Sequence, residues 1–446
     1  FPIAVVKYDY LLIKPQFPGQ PDGRIHMKIK LIKSAISILL CLCMLISFSA
    51  VSFADSEKKT DYPFIYVHGM YGWGEDSAKE AESPYWGTQP QNNVITYLRD
   101  RGYKVYNPSV GGFSSAWDRA CELYAQLTGT VVDYGEAHSK ECGHARYGRD
   151  YTGRASMGEP WDLESPLNFV GHSFGGETIR LMASLLAYGD ETEAKASPDD
   201  CSELFKGGHE KGIHSITTIS SPHNGSTAAN YLSDPVLPAV LMIFILHSKC
   251  VSGKSTFDLM LDQWGISKDP ISGEKAGLKP FACLKLGYSK DHCGYDLTVQ
   301  GAEKLNKKIK TVKSAYYFSY SACITEDAKF GYSKLNKEYD AFAPFKISSP
   351  LICNSVNMFI GGKFIDKGWS ANDGIVPLKS ALYPFNEDHV TYDESRTLIP
   401  GVWNVMPTLY GVDHYDFCNA ADEKAFGSLD GFFKFYTDLS ELICGI

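Results

Sequence analysis

Residues 171–175 read Gly-His-Ser-Phe-Gly, and no other stretch constrains the chain so tightly. The pentapeptide follows a short apolar run, Leu167–Val170, with strand character, and precedes an amphipathic helical pattern over Glu177–Tyr188. A serine held in a tight strand-to-helix turn has strained backbone angles, so its neighbours two residues away must be small. The helix N-terminus behind it favours negative charge developing nearby. In that context G-x-S-x-G marks a nucleophile, Ser173.

The rest of the chain supplies a sheet for this turn to sit on. Residues 62–67 form an apolar run ending at His68-Gly69, Tyr103–Tyr106 is strand-like, and His214–Ile219 is another strand. Asn92–Arg101 and Trp117–Leu127 have helical spacing between them. Short apolar strands alternating with helices predict an α/β fold with a mostly parallel central sheet flanked by helices. With the nucleophile turn, this is the α/β-hydrolase fold. No internal repeat or low-complexity linker divides it, so one domain with insertions is expected.

A serine nucleophile needs a base and an orienting acid, which in this fold follow in the order Ser, Asp/Glu, His. Asp373 lies in a turn, Asn372-Asp373-Gly374, before an apolar run, and only His389 and His414 lie beyond it. His389 follows Glu387-Asp388 in surface-like sequence, so His414 is the expected base. Asp340, Asp366, Asp388 and Asp393 rival Asp373 on spacing alone. The oxyanion donors should be the backbone N–H of Phe174, after the serine, and of Met70, in the loop after the first strand. His68 in that loop is expected to pack rather than react.

The N-terminus reads as processing sequence. Met27 opens a segment with Lys28, Lys30 and Lys33, then an apolar stretch over Ala35–Phe48, then Ser52-Phe53-Ala54 with small residues. That order is a secretory signal peptide over 27–54, cleaved near Ala54, with 1–26 as upstream sequence and 55–446 as the working domain. The apolar core is shorter than the roughly 20 residues of a spanning helix, so no stable membrane anchor is expected. Residues 55–446 hold 37 Lys/Arg against 50 Asp/Glu, a balance that excludes a nucleic-acid binder relying on bulk basicity. Ten cysteines remain after Ala54, and Cys283 with Cys293 or Cys201 with Cys250 are near enough in sequence to pair. Pro235–Leu246 is nearly all apolar. It reads either as a buried core helix or as a mobile cover over an apolar site.

His138 and His144 lie six residues apart with Cys142 between them. Two histidines with two carboxylates can make a tetrahedral zinc site, and the thiol is a rival ligand.

At Val67-His68-Gly69, Ser115–Glu122, Asp133–His138, Gly143–Arg146, Gly171–Gly176, Ser221–Ser226, Leu261–Gly265, Asp296–Thr298, Asn372–Val376 and Gly401–Asn404, the chain resembles bacterial secreted true lipases of the Geobacillus and Staphylococcus type. The likeness runs over roughly residues 62–435. It implies Ser173, Asp373 and His414 as the catalytic triad and a helical lid near 230–257, favouring the cover reading of Pro235–Leu246. It implies a structural Zn2+ held by Asp118, His138, His144 and Asp262, pinning an insertion. Cys121 and Cys142 then become neighbours of the site, with a disulfide between them as one option. It also implies a Ca2+ near Asp416 and Asp422, the latter one residue off in spacing. Phe174 departs from relatives, which carry Gln or Met there; only its backbone N–H is needed. The expected activity is hydrolysis of long-chain acylglycerols at an oil–water interface. A short-chain carboxylesterase or phospholipase on the same scaffold is the alternative.

Overall fold

In a computed structural model of the chain, the residues described are 60–232, 258–266, 285–420 and 425–446. They belong to the unit Lys59–Ile446. The signal-peptide reading (27–54), nearly all of the lid reading (233–257), Cys250, Cys283 and Asp422 fall outside the described residues.

Seven strands make the central sheet: β1 (Phe64–Val67), β2 (Val105–Tyr106), β3 (Leu167–His172), β4 (Ile213–Ile219), β5 (Tyr316–Tyr320), β6 (His389–Thr391) and β7 (Trp403–Val405), in the order β6-β7-β5-β4-β3-β1-β2. Every pairing in it is parallel. A parallel sheet must be covered on both faces, and the strand sequences show it. All four residues of β1 and all six of β3 are buried. Period-two alternation sends Ile65 and Val67 into one core and Phe64 and Tyr66 into the other.

The first core is closed by α2 (Ala116–Thr128) and α4 (Gly175–Tyr188), and the second by α1 (Val94–Arg99) and α7 (Leu429–Cys444). Helix α7 presents Phe432, Tyr436, Leu439 and Ile443 at near-helical spacing, all buried, and Phe433 stacks on Tyr97 of α1 with ring centroids 4.0 Å apart. Each such buried apolar side chain contributes about 1.5–3 kcal/mol relative to exposure. Helix α2 is unusual in being buried along its whole length, including Asp118, Arg119, Glu122 and Gln126. Ser115 caps it by accepting from the Asp118 N–H at 3.2 Å, and Gly129 ends it with φ 64°. A helix this deep cannot leave charged groups idle, and its polar residues serve two sites described below.

Helix α3 (Glu136–Cys142) carries His138 and Cys142, α5 (Val299–Lys308) follows the Asp296-Leu297-Thr298 segment, and α6 (Phe345–Asn354) borders the cavity described below. Cys121, Cys142, Cys201 and Cys293 are all free thiols, so Cys121 and Cys142 form no disulfide. Among the described residues no helix is long and apolar enough to cross a membrane.

Candidate active site and metal centre

Strand β3 ends at His172 and α4 begins at Gly175, so Ser173 and Phe174 are the turn. Ser173 has φ 53°, the left-handed region that costs a non-glycine residue energy and persists where the surroundings over-determine it. The surroundings do so through the flanking glycines. A Cβ on Gly171 would lie 2.5 Å from the carbonyl carbon of Gly175, and one on Gly175 would lie 2.2 Å from the carbonyl oxygen of Val67. The Ser173 N–H also donates to the Ile219 carbonyl of β4 at 2.8 Å.

His414 reaches the same place from the C-terminal side. Its ring Nδ1 lies 2.8 Å from Asp373 Oδ2, and its backbone N–H donates to the Asp373 carbonyl at 2.9 Å. The other carboxylate oxygen accepts from the N–H groups of Ile375 and Val376 at 3.1 and 2.7 Å. Asp373 is thereby held as a buried acceptor. It fixes the proton on Nδ1 and leaves Nε2 free to take one. Ser173 and His414 line one cavity of about 220 Å³, whose walls include Met70, Leu297, Phe345, Ile375 and Val376. The rivals lie elsewhere: Asp366 pairs with Lys379, Asp340 with Lys346, and Asp393 is bound to Ser395 at the surface. His389 is exposed in edge strand β6, stacked on Tyr383.

The loop after β1 lies against the elbow: a Cβ on Gly69 would approach Ser173 Cβ to 2.7 Å. Among the described residues no protein acceptor takes the N–H of Met70 or Phe174. Buried Arg119 of α2 holds this loop by its carbonyls. It donates to His68 O, to Gly69 O at 3.3 Å, to Gly111 O at 3.1 Å and to Thr178 Oγ1 at 2.8 Å. Burial pulls its guanidinium down to about 10, still charged at neutral pH. His68 accepts from the Val110 N–H at 3.1 Å, and burial with the Arg119 charge lowers it to about 3. It is therefore a neutral, structural imidazole.

Asp118 and both histidines come together, and Asp262 is turned toward Arg149. Arg149 engages Asp262 through Nε at 3.0 Å and Nη2 at 3.2 Å, so its charge is already matched. Its neighbours are what touch the site: Gln263 Nε2 donates to Asp118 Oδ2 at 2.6 Å, and the Trp264 ring lies against His144. The second carboxylate that faces the two imidazoles is Asp291, which sequence reasoning did not single out. His138 Nε2 lies 3.1 Å from Asp118 and 3.3 Å from Asp291, and His144 Nε2 lies 3.1 Å from Asp291. Asp291 sits in the short polar segment Ser289-Lys290-Asp291-His292, where no spacing rule distinguishes it.

The donor set fits a cation. His144 Nδ1 donates to the Ala145 carbonyl at 2.8 Å, and His138 Nδ1 faces Cys142 Sγ at 3.8 Å. Both rings thus turn Nε2 inward, as ligating imidazoles anchored from behind do. His144 Nε2 and Asp291 Oδ2 are buried, face each other and have no hydrogen-bond partner. Two acceptors so placed need a positive charge between them. Without a metal, protons supply it. Burial alone would lower both histidines, yet Asp118 and Asp291 hold His138 well above its usual value and Asp291 brings His144 to about 10. Burial and the Asp291 charge raise Asp118.

Of the residues expected for calcium, Asp416 accepts through Oδ2 from the Tyr339 hydroxyl and from the Asp413 N–H at 2.6 Å, and Asp422 lies outside the described residues.

The fold is of α/β-hydrolase architecture, and its nucleophile turn brings a serine, a histidine and an aspartate to one place. Residues 60–444 match the family described as lipase-like, C-terminal domain, and the chain belongs to it. It is 36% identical over 380 residues to a lipase of Staphylococcus hyicus, covering 84% of this chain and 56% of that protein. It is 37% identical over 362 residues to lipase 2 of Staphylococcus aureus, covering 80% and 50%. The chain thus spans about half the length of the curated relatives it matches. Among solved structures, the S. hyicus lipase superposes with TM-score 0.72 at 34% identity, covering 87% of this chain and 97% of that one. EstA of Clostridium botulinum superposes with TM-score 0.70 at 31% identity, covering 86% and 88%.

Proposed function

We propose that the protein is an exported lipase that hydrolyses long-chain acylglycerols through an acyl-enzyme. The observation that carries this is the 2.8 Å His414–Asp373 contact beside Ser173 at the wall of an apolar cavity. In this reading His414 Nε2 takes the Ser173 proton as Oγ attacks the ester carbonyl. Asp373 stabilises the imidazolium, and the N–H groups of Met70 and Phe174 hold the tetrahedral oxyanion. His414 then gives the proton to the leaving alcohol, and water repeats the sequence to release the acid. The apolar walls favour an acyl chain over a charged or sugar substrate, and the relatives named as lipases support the same substrate class. Export rests on the basic, apolar and small-residue order of residues 27–54; mapping the mature N-terminus to Asp55 would test it.

A metal belongs to this reading as a structural element. Asp118, His138, His144 and Asp291 would hold a divalent cation of the zinc type, which when bound would supply fixed positive charge and a cross-link. The chain's own residues do the chemistry elsewhere.

Ser173→Ala should abolish hydrolysis of a long-chain nitrophenyl ester and of triglyceride emulsions while leaving the fold intact. Activity retained in that variant sinks the assignment. Rates that peak on soluble short-chain esters would move the substrate to the short-chain class.

A further inference from the structure

We propose that Tyr85 and His172 are positioning residues, forming one proton-ordered hydrogen-bond chain that ties the oxyanion loop to the catalytic histidine through the nucleophile turn. The inference rests on the esterase reading of the site and adds residues to it.

The chain is short and its two ends have fixed direction. Gly69 N–H donates to the Tyr85 hydroxyl at 2.9 Å. The hydroxyl lies 2.7 Å from His172 Nδ1, and His172 Nε2 lies 3.0 Å from the His414 carbonyl oxygen. A backbone N–H can only donate and a carbonyl can only accept. The carbonyl end puts the His172 proton on Nε2, so Nδ1 is an acceptor, and the Tyr85 hydroxyl, already accepting from Gly69, faces it at 2.7 Å. The chain requires a neutral His172, and burial with the neighbouring His414 lowers that imidazole well below its usual value. Cys418 closes the junction, its Sγ 3.3 Å from His172 Nδ1. The ring of Tyr85 packs edge-on against Trp86 and Trp73.

The three pieces joined are those whose relative positions decide transition-state stabilisation. Gly69 precedes Met70, His172 precedes Ser173, and the accepting carbonyl belongs to His414 itself. Arg119 fixes the loop carbonyls from one side, and Tyr85 fixes its N–H from the other. Removing the Tyr85 hydroxyl leaves the buried Gly69 N–H without its partner and His172 Nδ1 with the Cys418 thiol in place of the closer hydroxyl, so the loop N–H can be satisfied only by movement. A shift near 1 Å in such a site costs about a hundredfold in rate.

The test uses Tyr85→Phe, His172→Gln and the double variant in the full chain, with active sites counted by a phosphonate that labels Ser173. In each single variant kcat per labelled site should fall about ten- to a hundredfold with KM nearly unchanged. Affinity for a trifluoromethyl ketone, which forms a tetrahedral adduct, should fall by the same factor. The double variant should be little worse than the poorer single one, because both break one chain. Should one single variant fail to fold, the other carries the test through its adduct affinity. Unchanged kcat per site, full additivity, or a loss confined to melting temperature would overturn the proposal. A wild-type protein that neither hydrolyses esters nor takes the label would instead sink the esterase reading.

Discussion

At the scale of single residues, the triad and the buried acids carry the sharpest expectations. Asp373 fixes the His414 tautomer, so Asp373→Asn should lower kcat about 10⁴-fold with the fold retained, read by circular dichroism beside ester turnover. Glu177, in the first turn of α4, is buried with both carboxylate oxygens lacking a hydrogen-bond partner. Burial raises its carboxyl from 4.5 to about 7, partly offset by Arg180. The folded state therefore holds this proton more tightly than the unfolded chain. The stability that the neutral acid contributes is complete below pH 4.5 and is lost as pH rises through about 7. Glu177→Gln should accordingly stabilise the protein at pH 8, by on the order of 2 kcal/mol, and have little effect at pH 4.5. Equal effects at both pH values in urea titrations would contradict this.

At the scale of elements, α2 holds two sites at once because adjacent helical positions point about 100° apart. Asp118 faces the histidines and Arg119 faces the oxyanion loop. The metal assignment separates cleanly by mutation. Asp291→Asn should strip most bound metal, measured by elemental analysis of the purified protein, and lower the melting temperature. Asp262→Asn should keep the metal and lose the Arg149 pair. The reverse pattern would restore Asp262 as a ligand. The elbow is equally discriminating: Gly175→Ala forces a Cβ into the β1 backbone, so a loss of both stability and activity is expected, read by thermal melting and ester turnover.

At the scale of the whole molecule, α7 covers the face of the sheet opposite α2 and α4. Phe432→Ala there should cost about 3–5 kcal/mol in equilibrium unfolding while leaving kcat per labelled site unchanged. The patterns readable along the chain are local ones. Strand, turn and helix around Ser173 are short-range patterns, and α1, α2, α4 and β1–β4 fall within a few residues of where spacing puts them. Chain order leaves only two histidines for the base, whereas Asp373 stands out from its four rivals by the turn it occupies before an apolar run and not by spacing. Which carboxylate faces His138 and His144 was not legible. Asp262 and Asp291 are both acids in short irregular segments, and only the packed fold shows Arg149 beside the first and two imidazoles beside the second. Tyr85, His172 and Arg119 were likewise invisible, because a hydrogen bond between residues tens to hundreds of positions apart leaves no periodicity in the chain. Burial made these polar groups choose partners, and burial is a property of the tertiary structure alone.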